Sequence, residues 1–417
     1  MSEFRHDVIF CFLGLLVWLT SLVEGKFQVQ CYLPSWALNN DPVDSFKVTD
    51  LDPYGPCDVI LYAFFKVADN KLASHDGKYR GHFAQLSILK SKNPDLRVML
   101  SVGGWNNSRE MTTMAGSAVN RSTFIASVVP NLRRFNMDGL DIDWEFPKAV
   151  EAHNYIALLK ELREAFESEA RRPTQDRLLL TAAVGNTVQT GYLAKEMNRW
   201  LDVVNVMTYD YHMYGSWDLM TGHNAALTDT VQSVLAWETA GIANTSLSLG
   251  IPFYARSYTV APPTNVTGTI DFLDVGTSQP ASGPGQPGVL THENGTLSYA
   301  EVCSSIKNGW TSGRDKSARA PYARSADQWV SYDDAQSVTD KVVWAQEHGL
   351  QGVFIWHLGV DDVHGYCGRK FPLLNAVDQA LIKPNVIPNV PPIKSASAIL
   401  CSCAIFILFL TILQSYL

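Results

Sequence analysis

The sequence predicts an α/β fold, a (β/α)8 TIM barrel with a small inserted α+β subdomain, on three observations. Eight short apolar, β-rich runs recur along the chain, most are separated by enough residues for a loop and a helix, and one gap is far too long for that pattern. The runs are VQCYL (29–33), VILYAFF (59–65), RVMLSVG (97–103), GLDIDW (139–144), LLLTAAV (178–184), VVNVMTYD (203–210), LSLGIPF (247–253) and GVFIW (352–356). They are nearly continuous in apolar residues, as parallel strands covered on both faces require. Between the fourth and fifth runs, Tyr155, Leu158, Leu159, Leu162 and Phe166 recur at helical spacing. A doubly wound open sheet is the competing architecture, disfavoured because no Gly-rich phosphate loop follows the first run.

The long gap, roughly 100 residues between LSLGIPF and GVFIW, is several times a usual connection. Within it, residues 254–334 hold Pro- and Gly-rich turns, short β-like runs and aromatics, and read as an α+β subdomain beside the barrel mouth. The barrel domain as a whole spans 26–383.

Both ends carry address signals. Arg5 and His6 precede an apolar run from Val8 to Leu19, and Val23 and Gly25 suit the −3 and −1 positions of a cleavage site, so residues 1–25 read as a removed signal peptide. At the other end a Pro-rich stalk, 384–397, leads into 398–417, an uncharged stretch of 20 residues, long enough to cross a bilayer. Ser395, Ala396 and Ser397 resemble a GPI attachment site lacking the usual polar spacer, and no Lys or Arg follows the apolar run as a stable span would need. The expectation is an extracellular protein tethered to the membrane through this tail, by GPI rather than a single transmembrane helix.

Four cysteines lie between these ends, Cys31, Cys57, Cys303 and Cys367, and allow three pairings. Disulfides are the default in an oxidising compartment, no pair has zinc-site spacing, and Cys31–Cys57 with Cys303–Cys367 is the expected pairing because each bond closes its own chain end. Sequons at Asn120, Asn244, Asn265 and Asn294 are candidate glycosylation sites. Asn106 is a further sequon, but it adjoins the strand-end Trp105, where a glycan would obstruct a cleft.

The net charge of −8 argues against a nucleic-acid partner, and 11 Trp with 16 Tyr supply flat amphipathic surfaces. No cofactor motif occurs, and His212 and His223 match no helical metal pair. A monomer acting on a neutral or polar substrate is expected.

The chemistry concentrates in DGLDIDWEFP, residues 138–147. Alternate residues of a strand point the same way, so Asp141, Asp143 and Glu145 form a ladder with neighbours roughly 7 Å apart. Three such carboxyls in a barrel interior cannot all ionise cheaply, so at least one keeps or shares a proton near neutral pH. Glu145 lies nearest the C-terminal end, where barrel active sites form, which makes it the candidate general acid. Asp138, immediately before Gly139, reads as structural. Tyr32, Phe64, Trp105, Tyr209, Asp210, Arg256 and Trp356 fall at or just beyond other strand ends, where aromatic faces with polar tips suit sugar rings. A proton donor among aromatics points to glycoside cleavage.

DGLDIDWE resembles the DxxDxDxE signature of family 18 glycoside hydrolases, the chitinases and chitinase-like proteins. SVGGW (101–105), MTYD (207–210), YAR (254–256) and FIW (354–356) are similar to that family's other strand-end motifs, in order, over about Lys26–Leu381; CYLPSWA and YAEVC look most like animal chitinases. The resemblance implies hydrolysis of β-1,4 links between N-acetylglucosamine units in chitin or chitooligosaccharides. In that scheme Glu145 is the acid and base, Asp143 orients the N-acetyl group and shares a proton with Asp141, and Tyr209 bonds the acetamide oxygen. It also implies sugar contacts at Asp210, Tyr254, Arg256, Glu293, Gly104 and Met207, stacking on Trp36, Trp105 and Trp217, and a sugar-ring floor at Trp356. YHMYGSW is longer than the family's usual segment. The rivals are a chitinase-like lectin, which typically lacks the final acid of the signature, and an endo-acting N-acetylglucosaminidase on N-linked glycans.

Overall fold

The computed structural model describes residues 26–38, 46–75, 77–171, 176–215, 219–261 and 278–382. Strands are numbered in chain order. β1 (Gln28–Pro34), β2 (Val59–Ala68), β3 (Lys71–Ser74), β4 (Arg97–Gly103), β5 (Gly139–Asp143), β6 (Leu179–Val184), β7 (Val203–Val206) and β8 (Leu247–Pro252) come first. Then come β9 (Tyr254–Val260), β10 (Ala281–Pro284), β11 (Thr296–Ser298), β12 (Thr311–Asp315), β13 (Ala320–Ser325), β14 (Gln328–Ser331) and finally β15 (Gly352–Trp356).

Eight strands pair in parallel in the order β1, β2, β4, β5, β6, β7, β8, β15, and β15 returns to β1 to close the barrel. These are the eight apolar runs of the sequence. β3 adds to the end of β2 as an antiparallel hairpin partner that the apolar pattern did not announce. The helix Ala152–Ala170 buries Tyr155, Leu158, Leu159, Leu162 and Phe166, the periodic residues of its sequence, against the barrel wall.

Two runs end sooner than their composition suggests. VVNVMTYD leaves the sheet after Val206, because the Thr208 and Tyr209 amides donate to the Val206 and Met207 carbonyls (both 2.8 Å) in place of ladder bonds. In GLDIDW the ladder stops at Asp143, so the acidic strand carries two of the three carboxyls and Glu145 projects from the turn beyond it.

The long gap holds a second sheet of six strands, ordered β10, β9, β14, β13, β12 with β11 also on β9, all antiparallel. The helix Tyr299–Lys307 packs on it through Val302, over Ala255, Leu297, Ala323 and Val330. Ser298 caps that helix, its hydroxyl accepting from the Glu301 amide (3.2 Å) while Glu301 accepts from the Ser298 amide (2.8 Å). The disulfides are Cys31–Cys57, tying β1 to the entry of β2, and Cys303–Cys367, tying the capped helix to the loop after β15. Among the described residues no helix is long and apolar enough to cross a membrane; the apolar stretch 398–417, like the leader 1–25, lies outside them.

Where the second sheet hands the chain back to the barrel, Lys341 reaches both oxygens of Asp333 (2.7 Å each) with both side chains buried, and Ser337 donates to the same carboxylate. Lys341→Met is expected to destabilise the protein by about 3–5 kcal/mol, because it strands a buried carboxylate, and the double variant Lys341→Met with Asp333→Leu should recover most of that loss. Urea unfolding at neutral pH measures both; equal losses in the single and double variants would show that the pair's geometry, and not stranded charge, sets the cost.

Candidate active site

β4, β5 and β6 run in register, which places Ser101, Asp141 and Thr181 side by side. Asp141 is fully buried; its Oδ2 accepts from the Ser101 hydroxyl (2.7 Å) and from the Tyr32 hydroxyl of β1 (2.9 Å), and its Oδ1 from the Thr181 hydroxyl (2.6 Å). Burial pushes this carboxyl's pKa up, and the three hydroxyls pull it back.

One pleat higher, Asp143 lies between Gly103 and Ala183. Its Oδ1 is buried and makes no hydrogen bond with the described residues. Burial, then the charges of Glu145 and Asp141, raise its pKa well above the usual carboxylate range. Gly103 has φ +122°, and a Cβ there would fall 1.9 Å from the Asp143 carbonyl oxygen, so glycine alone permits this approach. Glu145 comes next; its carbonyl accepts from the Ser108 hydroxyl, and its carboxyl is pushed up to about 7 by burial and by the charge of Asp210, against a backbone hydrogen bond from Trp105.

Asp210 belongs to the turn after β7, in the left-handed region (φ 57°), with its amide held by Asn224 Oδ1 (3.0 Å). Its Oδ1 accepts from the Tyr254 hydroxyl (2.8 Å) and from Arg256 Nε (2.6 Å), and Arg256 continues to Thr296 of β11 (2.8 Å). The second sheet thereby fixes the charge that acts on Glu145. Tyr209 is buried beside Tyr254 (ring centroids 6.0 Å apart) and near the acids, its own ionisation driven far upward by burial and then by Tyr254 and the carboxylates.

A cavity of about 650 Å³ is lined by Trp36, Asp210, Tyr254, Arg256, Glu293 and Trp356; the three acids of the ladder and Tyr209 are not part of its lining, and Asp210, whose charge acts on Glu145, connects the two. Trp356 stacks on Phe64 (5.6 Å, 26°), and the peptides Ala63–Phe64, Glu145–Phe146 and Trp356–His357 are cis. Glu293 is exposed on a loop that Glu301 anchors by accepting from the Leu290 (2.6 Å) and Thr291 (3.1 Å) amides.

Several expected contacts take a different place. Tyr32, expected to touch substrate, is 1% exposed and supports Asp141, because its position on β1 points into the barrel. Phe64 and Met207 are partly buried against the cluster that holds Tyr32 and Tyr209. Gly104 gives its amide to the Asp143 carbonyl (2.8 Å) and packs against Phe64, whose ring a Cβ would meet at 2.8 Å. Trp105 is 69% exposed at the rim. Trp217 and Asn265 lie outside the described residues. Asn120 and Asn244 donate their side-chain amides to the Thr113 (3.0 Å) and His348 (3.2 Å) carbonyls, whereas Asn294 is exposed. Asp138 is structural, accepting from Val98 N (2.7 Å) and Lys90 Nζ (2.8 Å). His223 faces Ser331 and Asp315, and burial lowers its pKa. Ser101, Thr181 and Asn224 were not singled out from the sequence; the available signal was a lone polar residue inside an apolar run.

The barrel and its acidic strand have well-defined relatives. The family model described as Glycosyl hydrolases family 18 matches residues 28–361, and the chain belongs to that family. Chitotriosidase-1 of Mus musculus is 34% identical over 402 residues, covering 91% of this chain and 83% of the relative. Chitinase-3-like protein 2 of Homo sapiens is 32% identical over 388 residues, covering 88% and 96%. Among solved structures, human YKL-39, described as a pseudo-chitinase with retained chitooligosaccharide binding, superposes with a TM-score of 0.79 at 31% identity over 86% of this chain and all (100%) of that one. A Group IV chitinase of Ostrinia furnacalis in complex with allosamidin gives 0.78 at 33%, over 86% and 99%.

The ionisation of Glu145 can be followed by carboxyl infrared absorption against a Glu145→Gln reference. The carboxyl should be protonated below and ionised above a midpoint near 7, and Asp210→Asn, by removing a neighbouring negative charge, should move that midpoint down. A midpoint that stays put in Asp210→Asn would show that burial alone sets it.

Proposed function

We propose that the protein is a chitinase, hydrolysing β-1,4 links between N-acetylglucosamine units by substrate-assisted, retaining catalysis. The observation that carries this reading is Glu145, its pKa raised to about 7 just beyond a strand whose two deeper acids are buried, and acted on by the charge of Asp210, which lines an aromatic-walled cavity. At its midpoint a carboxyl serves equally as acid and base, which a two-step reaction needs from one group.

In the first step Glu145 gives its proton to the bridging oxygen as the bond from the anomeric carbon breaks. The electron pair leaves with that oxygen, and the substrate's own acetamide carbonyl oxygen closes onto the anomeric carbon to form an oxazolinium ring. This family is among those in which no protein carboxylate attacks. Asp143, between Asp141 and Glu145 and with its buried Oδ1 unpartnered among the described residues, would bond the acetamide N–H once substrate binding brings that group against it, orienting the carbonyl for attack. Tyr209 faces the same group, and Trp356 forms the floor. In the second step the Glu145 carboxylate takes a proton from water, whose oxygen opens the ring on the face the leaving sugar vacated. Burial raises the Asp141 pKa while three hydroxyl hydrogen bonds lower it, whereas Asp143 has burial and two neighbouring charges raising it, so a proton carried by the two aspartates is held more firmly by Asp143.

A binding protein without hydrolysis is the second reading, favoured by the pseudo-chitinase relative. Against it, Asp141, Asp143, Glu145 and Tyr209 are all present. Glu145→Gln is expected to lower kcat by roughly 10²–10⁴-fold on chitin oligomers while still binding them. Binding without products from the unaltered protein would establish the lectin, and turnover surviving in Glu145→Gln would remove Glu145 from the acid role.

The two disulfides support an extracellular location. We extend the proposal to a GPI tether formed at the 398–417 tail: phosphatidylinositol-specific phospholipase should release the protein from expressing cells. Retention on the membrane would indicate a span, and appearance in the medium without enzyme would indicate no tether.

A further inference from the structure

One wall of the cavity contains a polar group that the reaction above does not use. His357 follows Trp356 directly and packs edge to face against both Trp356 (ring centroids 5.4 Å, 86°) and Trp36 (6.1 Å, 86°). Trp36 and Trp356 also meet each other (6.3 Å), so the three rings make one continuous wall. Glycine at 359 allows this assembly: a Cβ there would fall 2.5 Å from the Ala37 Cβ, pushing the Trp36 turn away from the turn after His357.

The proton of the imidazole is assigned by its partner. Nδ1 accepts from the Gly359 amide (3.2 Å), and a ring nitrogen that accepts carries no proton, so the neutral ring bears its proton on Nε2. Burial lowers the ring's pKa to about 3, which keeps it neutral across the range in which Glu145 titrates. Nε2–H has no acceptor among the described residues, and His357 lines the cavity. The wall therefore presents stacking surface with the imidazole N–H as a donor set between two indoles, whose own N–H groups are donors as well.

Three donors on the opposite side are already engaged. The Tyr254 hydroxyl and Arg256 Nε go to Asp210, and another Arg256 nitrogen goes to Thr296. The nearby Glu293 carboxylate is an acceptor when ionised and can serve sugar hydroxyls, which donate. An acceptor-only group needs a donor; in an N-acetylated sugar these are the ring and glycosidic oxygens and the amide carbonyl, of which the carbonyl is the strongest acceptor and the one that deacetylation removes.

Resting on the chitinase reading, we infer that His357 is a substrate-recognition residue whose Nε2–H donates to the acetamide carbonyl of an N-acetylated sugar lying along the Trp36–His357–Trp356 wall. A deacetylated sugar offers an ammonium there, which has only donors and gains nothing from this N–H. The site thus distinguishes acetylated from deacetylated chitooligosaccharides at a sugar that is not itself cleaved.

The test uses the full chain carrying Glu145→Gln, so that ligand is not consumed, and calorimetry with the fully acetylated and fully deacetylated chitin tetramers. Adding His357→Phe keeps an aromatic ring and deletes the N–H. Affinity for the acetylated tetramer should fall roughly 3- to 10-fold, as loss of one hydrogen bond implies, with affinity for the deacetylated one unchanged. The pair His357→Gln and His357→Met, close in volume and differing in the N–H, repeats the comparison without a ring: Gln should bind the acetylated tetramer more tightly than Met. Equal binding by Gln and Met, or a Phe variant that loses affinity for both tetramers alike, would overturn the role of the donor while leaving the chitinase reading in place. If the Glu145→Gln parent fails to bind the acetylated tetramer, the chitinase reading falls, and this inference with it.

Discussion

Two successive inward positions of β5 are aspartates and the next is a glutamate, so three carboxyl groups share an interior that solvates charge poorly. The barrel answers differently at each level. At the bottom, three hydroxyls from three other strands surround Asp141 and favour its charged form. In the middle, burial and then the charges of Glu145 and Asp141 raise the Asp143 pKa well above the usual range, and its buried Oδ1 has no partner among the described residues. At the top, burial and then Asp210 raise Glu145 to about 7, against a backbone hydrogen bond from Trp105. Different surroundings along one strand and its turn thus set three carboxyl groups apart.

The second sheet contributes to those surroundings from outside the barrel. Asp210 is the neighbouring charge that keeps Glu145 protonated, and it is held by Tyr254 and Arg256 on β9, the strand that opens the insertion. Arg256 is held in turn by Thr296 on β11, and Glu301 anchors the loop that brings Glu293 to the cavity. The insertion is therefore part of the electrostatics of the acid as well as a wall for the ligand.

Much of this could be read along the chain. Eight apolar runs at regular spacing specify the barrel, and an overlong gap marks the insertion, because burial on both faces leaves a local imprint in composition. The acidic strand was legible for the opposite reason: repeated charge in an apolar run is costly to bury and invites a use. Register across strands leaves no such imprint. Ser101 and Thr181 are ordinary small polar residues in their own runs and acquire meaning only when parallel pairing sets them beside Asp141. Tyr32 was placed at a strand end from its position, but the barrel's closure between β1 and β15 turns it inward. The early end of β7, which frees Tyr209 and Asp210 from the ladder, depends on Thr208 donating to the Gly250 carbonyl of the adjacent strand (2.6 Å), a contact that composition does not encode.

All three acids of the ladder arise from one strand and its turn, and the other acid that acts on Glu145, Asp210, is tied to Arg256. In the proposed reaction this arrangement provides one acid–base group on one side of the scissile bond and leaves the attack to the substrate's acetamide, which would fix the stereochemistry of the product. The most direct measurement is proton NMR of the anomeric signals in the first minutes of hydrolysis of a chitin oligomer, before mutarotation. The account requires the new reducing end to appear as the β-anomer; initial release of the α-anomer would mean that water attacks directly from the opposite face and would contradict it.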